Sequence, residues 1–283
     1  MAPSLAPVAA PSLRSRLPFA ALADMVAGMD QDRPAVLVTG GAKRIGGAIS
    51  RAFAKAGWHV VIHYNRSADA AEDLAAELGS AETVCADLCD DEAGVAMVAQ
   101  LASRLTDWRA LINCASVFEP DDVTALDPAI NRRAMQINAR APALLAQAYL
   151  RHARSKAGRH VVQVTDQKLA NPNPDFFSYT MSKHALDATI AMLAMGAARK
   201  DDRIYGLAPG AILASHDQSP EEAERSHRMN LLGRRTTAEE VAKAALFLAS
   251  GHLASGQTLY VDSGQHLLRQ ERDVIYLARE QAG

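Results

Sequence analysis

Ala35-Val36-Leu37-Val38-Thr39-Gly40-Gly41-Ala42-Lys43-Arg44-Ile45-Gly46-Gly47 is the stretch on which the architecture turns. Its first five residues are apolar or β-branched without alternation, the pattern of a strand covered on both faces. The glycines that follow read as a tight turn opening a helix that runs to about Ala56. Glycine at such a turn lets backbone approach a phosphate, and the unpaired N–H groups of the helix start then face its charge. Glycines also serve turns that bind nothing, so the turn gains weight only from what surrounds it.

Outward from it, short apolar strands alternate with Ala-rich helical segments. Strands are expected at His59–His63, Thr83–Ala86, Ala110–Asn113, His160–Val164, Ile204–Leu207 and Thr258–Val261. Helices are expected near Asp69–Leu78, up to Leu105, as one long element over Asn131–Arg154, from about Tyr179, and over Thr237–Leu248. Strands apolar on both faces and separated by helices imply a parallel sheet covered on each side. The expected fold class is α/β, a single Rossmann-type doubly wound domain over residues 34–268.

Composition excludes several classes. The 283 residues carry 30 Lys+Arg against 32 Asp+Glu, a formal charge of -2, which offers no footprint for nucleic acid. Hydrophobic residues are 49% and charged residues 22%, as in a globular protein. No apolar run approaches the roughly 18 residues of a membrane span. Three cysteines, Cys85, Cys89 and Cys114, make no disulfide framework and supply too few ligands for zinc, so a reduced cytoplasmic setting and no metal are expected. Residues 1–33, with Pro3, Pro7, Pro11 and Pro18, read as a disordered extension.

The end of the second strand distinguishes between dinucleotides. An NAD site places an acid there for the ribose 2′-hydroxyl. This chain has His63-Tyr64-Asn65-Arg66-Ser67 and no carboxylate before Asp69. The planar fork of Arg66 and the hydroxyl of Ser67, which also opens the next helix, suit a 2′-phosphate. NADP(H) is the expected cofactor, held by Gly40, Lys43, Arg44, Ile45 and Gly46 at the turn and by Tyr64, Asn65, Arg66 and Ser67 at the second strand.

Tyr179-Thr180-Met181-Ser182-Lys183 sets a phenol and an ammonium four residues apart, on one helix face. A phenol of ordinary pKa, about 10, is a poor proton shuttle at neutral pH. The nearby ammonium, joined by the positive nicotinamide of an oxidised cofactor, is expected to stabilise phenolate and bring that pKa toward the working range.

With these pieces in place the chain resembles the short-chain dehydrogenase/reductase family over roughly Pro34–Leu268. The resemblance rests on the Thr39-Gly40 turn, Ala86-Asp87-Leu88, Asn113-Cys114-Ala115, Asn138, Tyr179 with Lys183, and Pro209-Gly210. It implies a single domain that moves a hydride between a nicotinamide and a carbonyl, alcohol or imine. It also implies that Asp87 and Leu88 contact adenine, that Asn113 lines the ribose with Ala115 also at the cofactor, and that Lys183 holds the nicotinamide ribose. Asn138 would hold a water of the proton relay, and Pro209 and Gly210 would flank the carboxamide. A homo-oligomer, commonly a tetramer, is implied in the same way.

Three departures from the family pattern narrow the resemblance. Arg44 replaces the middle glycine of the turn, the second strand ends in His63–Ser67, and Asp166 stands thirteen residues before Tyr179 where the family carries serine. All three are similar to the pteridine and dihydromonapterin reductases, whose turn reads TGxxxRxG. Asn113-Cys114-Ala115-Ser116-Val117-Phe118 is similar to their NNASxF, with Cys114 for the second asparagine. The resemblance implies a pterin stacked by Phe118 and bound by Ser116 and Arg44, with catalysis through Asp166, Tyr179, Lys183 and Asn138. The chemistry agrees: a serine donates to a developing alkoxide, whereas an aspartate suits a nitrogen-rich ring. Ionised, it accepts from ring N–H groups; protonated beside Phe118, Phe176 and Phe177, it donates to a ring nitrogen. Phe176 and Phe177 are not separable from core.

The expected function is therefore NADPH-dependent reduction of a dihydropterin, or of dihydrofolate. The alternatives are an NADPH-dependent reductase of a ketone, oxoacyl thioester or sugar, and a cofactor-sensing protein without turnover. Gly210–Met229 is expected to form a substrate loop, with a helix opened by Ser219-Pro220-Glu221-Glu222 and with His216, Asp217 and Gln218 near substrate. Residues 269–283, with the apolar group Val274–Leu277, read either as a packed tail or as a contact with a neighbouring subunit.

Overall fold

Val36 and Val38 face one side of the first strand and pack with Ile49 and Phe53, while Leu37 faces the other side; all five are fully buried. That two-sided burial is what the unalternating apolar run demanded. The computed structural model describes residues 33–215 and 217–281. The expected extension over 1–33 lies outside the described residues except for Arg33, and His216 lies outside them as well.

Seven strands form one sheet in the order β3-β2-β1-β4-β5-β6-β7, every pair parallel. They are β1 Ala35–Thr39, β2 His59–Tyr64, β3 Ala81–Cys85, β4 Trp108–Asn113, β5 His160–Val164, β6 Arg203–Pro209 and β7 Thr258–Val261. The helices are α1 Arg44–Lys55, α2 Ala68–Leu78, α3 Asp91–Arg104, α4 Pro128–Met135, α5 Ala141–His152, α6 Phe177–Gly196, α7 Pro220–His227, α8 Ala238–Leu248 and α9 Val274–Glu280. α1 packs on α8, and α3 packs on α5. The chain is thus the Rossmann-type doubly wound fold expected. Strand order reverses between β1 and β4, and in such sheets the crevice for ligands opens outside the carboxyl ends of the strands at that point. Among the described residues no helix is long and apolar enough to cross a membrane.

The structure corrects the single helix expected over Asn131–Arg154. Asp127 caps α4 by accepting from the Ala129 and Ile130 N–H groups, with Pro128 in the first turn, so the helix starts earlier. It then widens into a π turn at Gln136–Arg140 before α5. Pro142 has no N–H to return to the Asn138 carbonyl four residues back, which explains the local widening. Residues 274–280, left without secondary structure in the sequence reading, form α9, started by Asp273 accepting from the Ile275 N–H. Helix α7 begins where Ser219 and Glu222 form a reciprocal cap.

Candidate active site

The glycine-rich turn after β1 is built from backbone that admits little else. Gly40 has φ +62°, and a Cβ there would lie 3.0 Å from Ala115 Cα. A Cβ on Gly46 would lie 2.1 Å from the Gly40 carbonyl oxygen, so glycine alone lets α1 start this close to the turn. Lys43 occupies the cap position of α1 without a side-chain cap bond, and no acid stands in the first turn. The helix start therefore offers uncommitted N–H groups to an anion. Arg44 sits at φ +54° and donates to the Ala214 carbonyl across the mouth, at 3.3 Å. Thr39 Oγ1 accepts from the Cys114 and Ala115 N–H groups and locks the ends of β1 and β4 together.

His63, not singled out in the sequence reading, anchors this turn. Its Nδ1 accepts from the Gly40 N–H at 3.1 Å, so Nε2 carries the proton and donates to the Ala86 carbonyl, also at 3.1 Å. Burial takes its pKa down to about 4 and keeps the ring neutral. One imidazole thus ties the turn after β1 to the segment carrying Asp87.

At the end of β2, Asn65 and Arg66 are exposed and Tyr64 and Ser67 half-buried. Ser67 holds the cap position of α2 but makes no cap bond, so its hydroxyl is uncommitted. Asn65 donates to Asp87 Oδ1 at 3.1 Å. Leu88 is buried and its side chain packs toward α3.

The carboxyl ends of the strands enclose a cavity of about 470 Å³. Of the expected residues it is lined by Gly40, Lys43, Arg44, Ile45, Gly46, Ala115, Ser116, Phe118, Asp166, Tyr179, Lys183, Pro209 and Gly210. Tyr64, Asn65, Arg66, Ser67, Asp87 and Leu88 stand beyond it, at the ends of β2 and β3. Asn113 and Asn138 are not brought to its wall. Asn113 is buried and donates to the Pro142 carbonyl and Gln163 Oε1. Asn138 uses both ends of its amide, accepting from Ser116 Oγ and the Val117 N–H and donating to the Val117 carbonyl and Ser182 Oγ. Its side chain braces the loop bearing Ser116 and Phe118 against α6.

Tyr179 Oη donates to Asp166 Oδ2 at 2.7 Å, and Asp166 Oδ1 accepts from the Lys168 N–H at 2.9 Å. Lys183 Nζ donates to the Val164 carbonyl at 2.8 Å and lies 5.6 Å from the Tyr179 ring centre. The Lys183 ammonium by itself does not lower the phenol pKa. Burial, then the charge and hydrogen bond of Asp166, push Tyr179 well above its ordinary value. Burial likewise raises Asp166 and lowers Lys183. Low dielectric disfavours each charged form, and here it outweighs the ammonium. The same burial lifts Cys114 to about 11.

Phe118 is 38% exposed, stacks on Phe176 at 4.0 Å and meets Tyr179 edge-on at 4.7 Å. Phe176 sits in the left-handed region at φ +54°, capping α6. The structure thereby separates Phe176, which packs against Tyr179, from half-buried Phe177. From the substrate loop Ser215, Gln218, Ser226 and His227 line the cavity, while Asp217 is paired with Arg279 instead. Gln167, Lys168, Gln265, Asp273, Val274 and Ile275 also line it and were missed, since no spacing in the sequence relates them to Tyr179.

The family model for enoyl-(acyl carrier protein) reductase matches residues 40–266. The chain belongs to the short-chain dehydrogenase/reductase family. It is an oxidoreductase of that family, whose members use NAD(P)H. Among short-chain relatives, pteridine reductase 1 of Leishmania tarentolae is 30% identical, with 83% of this chain and 97% of that protein covered. Galactitol 2-dehydrogenase (L-tagatose-forming) of Cereibacter sphaeroides is 31% identical, with 82% and 95% covered. The crystal structure of FolM alternative dihydrofolate reductase 1 from Brucella canis, complexed with NADP, matches at TM-score 0.79 and 36% identity, with 87% and 98% covered.

Proposed function

We propose that this protein is an NADPH-dependent reductase of dihydropterins. The observation that carries the reading is the 2.7 Å hydrogen bond from Tyr179 Oη to the half-buried Asp166 carboxyl at the cavity wall. Beside a carbonyl, an ionised Asp166 would repel the forming alkoxide; beside a pterin it accepts ring N–H or, protonated, donates to ring nitrogen. The residues fit NADP(H): an uncapped α1 start for the pyrophosphate, and exposed Arg66 with the uncommitted Ser67 hydroxyl for a 2′-phosphate. The Brucella canis relative is an NADP complex, and two of the relatives named are reductases of pteridine or dihydrofolate.

When bound, NADPH supplies a hydride to a ring carbon such as C6. Tyr179 delivers a proton toward N5, with Asp166 holding and replenishing it, and Lys183 orients the ribose. Asn138 offers its backbone carbonyl to a relay water. Phe118 gives the heterocycle an aromatic face, and Arg44 and Ser116 bind its polar edge and the cofactor phosphates. Asn113 acts from behind, by fixing β4 to β5. The reading includes a homotetramer in a reducing, cytoplasmic compartment, supported by exposed Met181, Met192 and Met195 on α6 and by three free cysteines.

The test is NADPH oxidation with dihydrobiopterin, dihydromonapterin and dihydrofolate. Turnover of at least one is expected; turnover of none by protein that binds NADPH defeats the reading. Similarity to a galactitol dehydrogenase supports a second reading, a carbonyl or alcohol substrate. Comparing the parent with Asp166→Ser on a carbonyl panel separates the two, since a gain in the variant favours the pterin.

A further inference from the structure

Helix α9 lies over the cavity of its own chain. Asp273, Val274 and Ile275 line it, and Ile275 packs against Phe176 and Tyr179 with Tyr276 at the edge. The Asp273 carboxylate both starts α9, through the Ile275 N–H at 3.0 Å, and takes the Lys168 ammonium at 2.8 Å. Both side chains of this ion pair are almost wholly buried. Lys168 in turn is the residue whose N–H holds Asp166 Oδ1. A second tie runs alongside, where Asp175 accepts from the Arg272 guanidinium and the Asp273 N–H. Outward, α9 is bound to helix α7 by Arg225 to the Ala278 carbonyl and to the loop before it by Arg279 to Asp217.

A buried ion pair is weak evidence of stabilisation, because a well-packed apolar pair does as well. This one instead fixes a distance between a hydrophobic wall and a catalytic carboxylate. We propose that Asp273 and Lys168 are positioning residues that seat Val274 and Ile275 as the dry wall of the substrate end, so that α9 completes the site of its own subunit.

Resting on the pterin reading, the wall keeps the Asp166–Tyr179 pair away from water while a planar heterocycle is protonated. The charged and titratable groups facing that pair are Cys114 from the end of β4, Lys168 from the turn after β5, Lys183 from α6 and Asp273 from the start of α9. Loosening the wall admits water and returns the Asp166 carboxyl toward its ordinary range. The protonated form is then lost at lower pH.

The full chain is used for the test, with hydrogen exchange and kinetics side by side. In the parent, amides of 274–280 exchange far more slowly than in a free peptide. Asp273→Asn keeps an oxygen for the Ile275 N–H but removes the charge. That variant and Ile275→Ala speed exchange there about tenfold or more. Both raise KM for dihydrobiopterin roughly tenfold, leave NADPH affinity within about twofold, and move the alkaline fall in activity to lower pH. Asp273→Glu recovers most of the KM. Free-peptide exchange in the parent overturns the proposal, as do an unchanged KM and pH profile in both variants. Should Asp273→Asn not fold, the milder Ile275→Ala carries both readouts. A parent inactive on every dihydropterin refutes the substrate reading alone, and exchange still decides whether α9 is the wall.

Discussion

Asp166 and Tyr179 show how burial turns two ordinary acids into a proton-holding pair. Because burial raises the Asp166 pKa, the folded protein carries a penalty for ionising it that is absent below the carboxylate's unfolded value and complete above its folded one. Asp166→Asn should therefore raise the melting temperature at pH 8 by about 2–4 °C, on the order of 1 kcal/mol, leave it unchanged at pH 4, and lower kcat with dihydropterin by about 100-fold. Calorimetry at the two pH values and steady-state kinetics check this. His63 has the opposite sign of coupling. Its pKa falls from 6.5 to about 4 on folding, so stability is undiminished above 6.5 and declines as pH drops to 4. The full loss is roughly 3 kcal/mol. Denaturant titrations across that range should show this slope in the parent and lack it in His63→Leu. That variant also leaves the Gly40 N–H and Ala86 carbonyl unpaired, and its NADP(H) affinity should drop about tenfold.

At the scale of elements, the π turn between α4 and α5 follows from one proline. Pro142 withholds an N–H from Asn138, and the widened turn sets the Asn138 amide between the Ser116–Val117 loop and Ser182 of α6. Such turns recur at functional sites because they redirect one carbonyl without ending the helix. Pro142→Ala restores the missing donor, so it should stabilise the helix by a few tenths of a kcal/mol or more while lowering kcat about tenfold, with NADP(H) affinity unchanged. An unaltered kcat in that variant would remove the Asn138 carbonyl from the relay. Reading the helix from periodicity alone hid this turn, because an apolar face continues smoothly across it.

At the scale of the molecule, the parallel sheet gathers the ends of β1, β2, β4, β5 and β6 along one crevice, and cofactor binding should register as stability of the whole. NADP(H) at about 100 times its dissociation constant adds about 2.7 kcal/mol, so the melting temperature should rise several degrees with NADP(H) and clearly less with equal NAD(H). Equal shifts would remove Arg66 and Ser67 from cofactor choice. The sheet and its order of elements were legible in the chain itself, since buried parallel strands must be apolar on both faces and helices must separate them. So were the glycine turn after β1, the acid-free end of β2, and the Tyr179–Lys183 pair, each set by residues close in sequence. Asp166 too was legible, by its register with Tyr179. What no local pattern could reveal was the wall of the site. Lys168 meets Asp273, Phe176 meets Ile275, and His63 meets Gly40 only because the sheet brings distant segments together. The protonation of the central pair belongs to the same class. Spacing placed an ammonium near the phenol, but the depth of burial, a property of the packed structure, decided which charge the site tolerates.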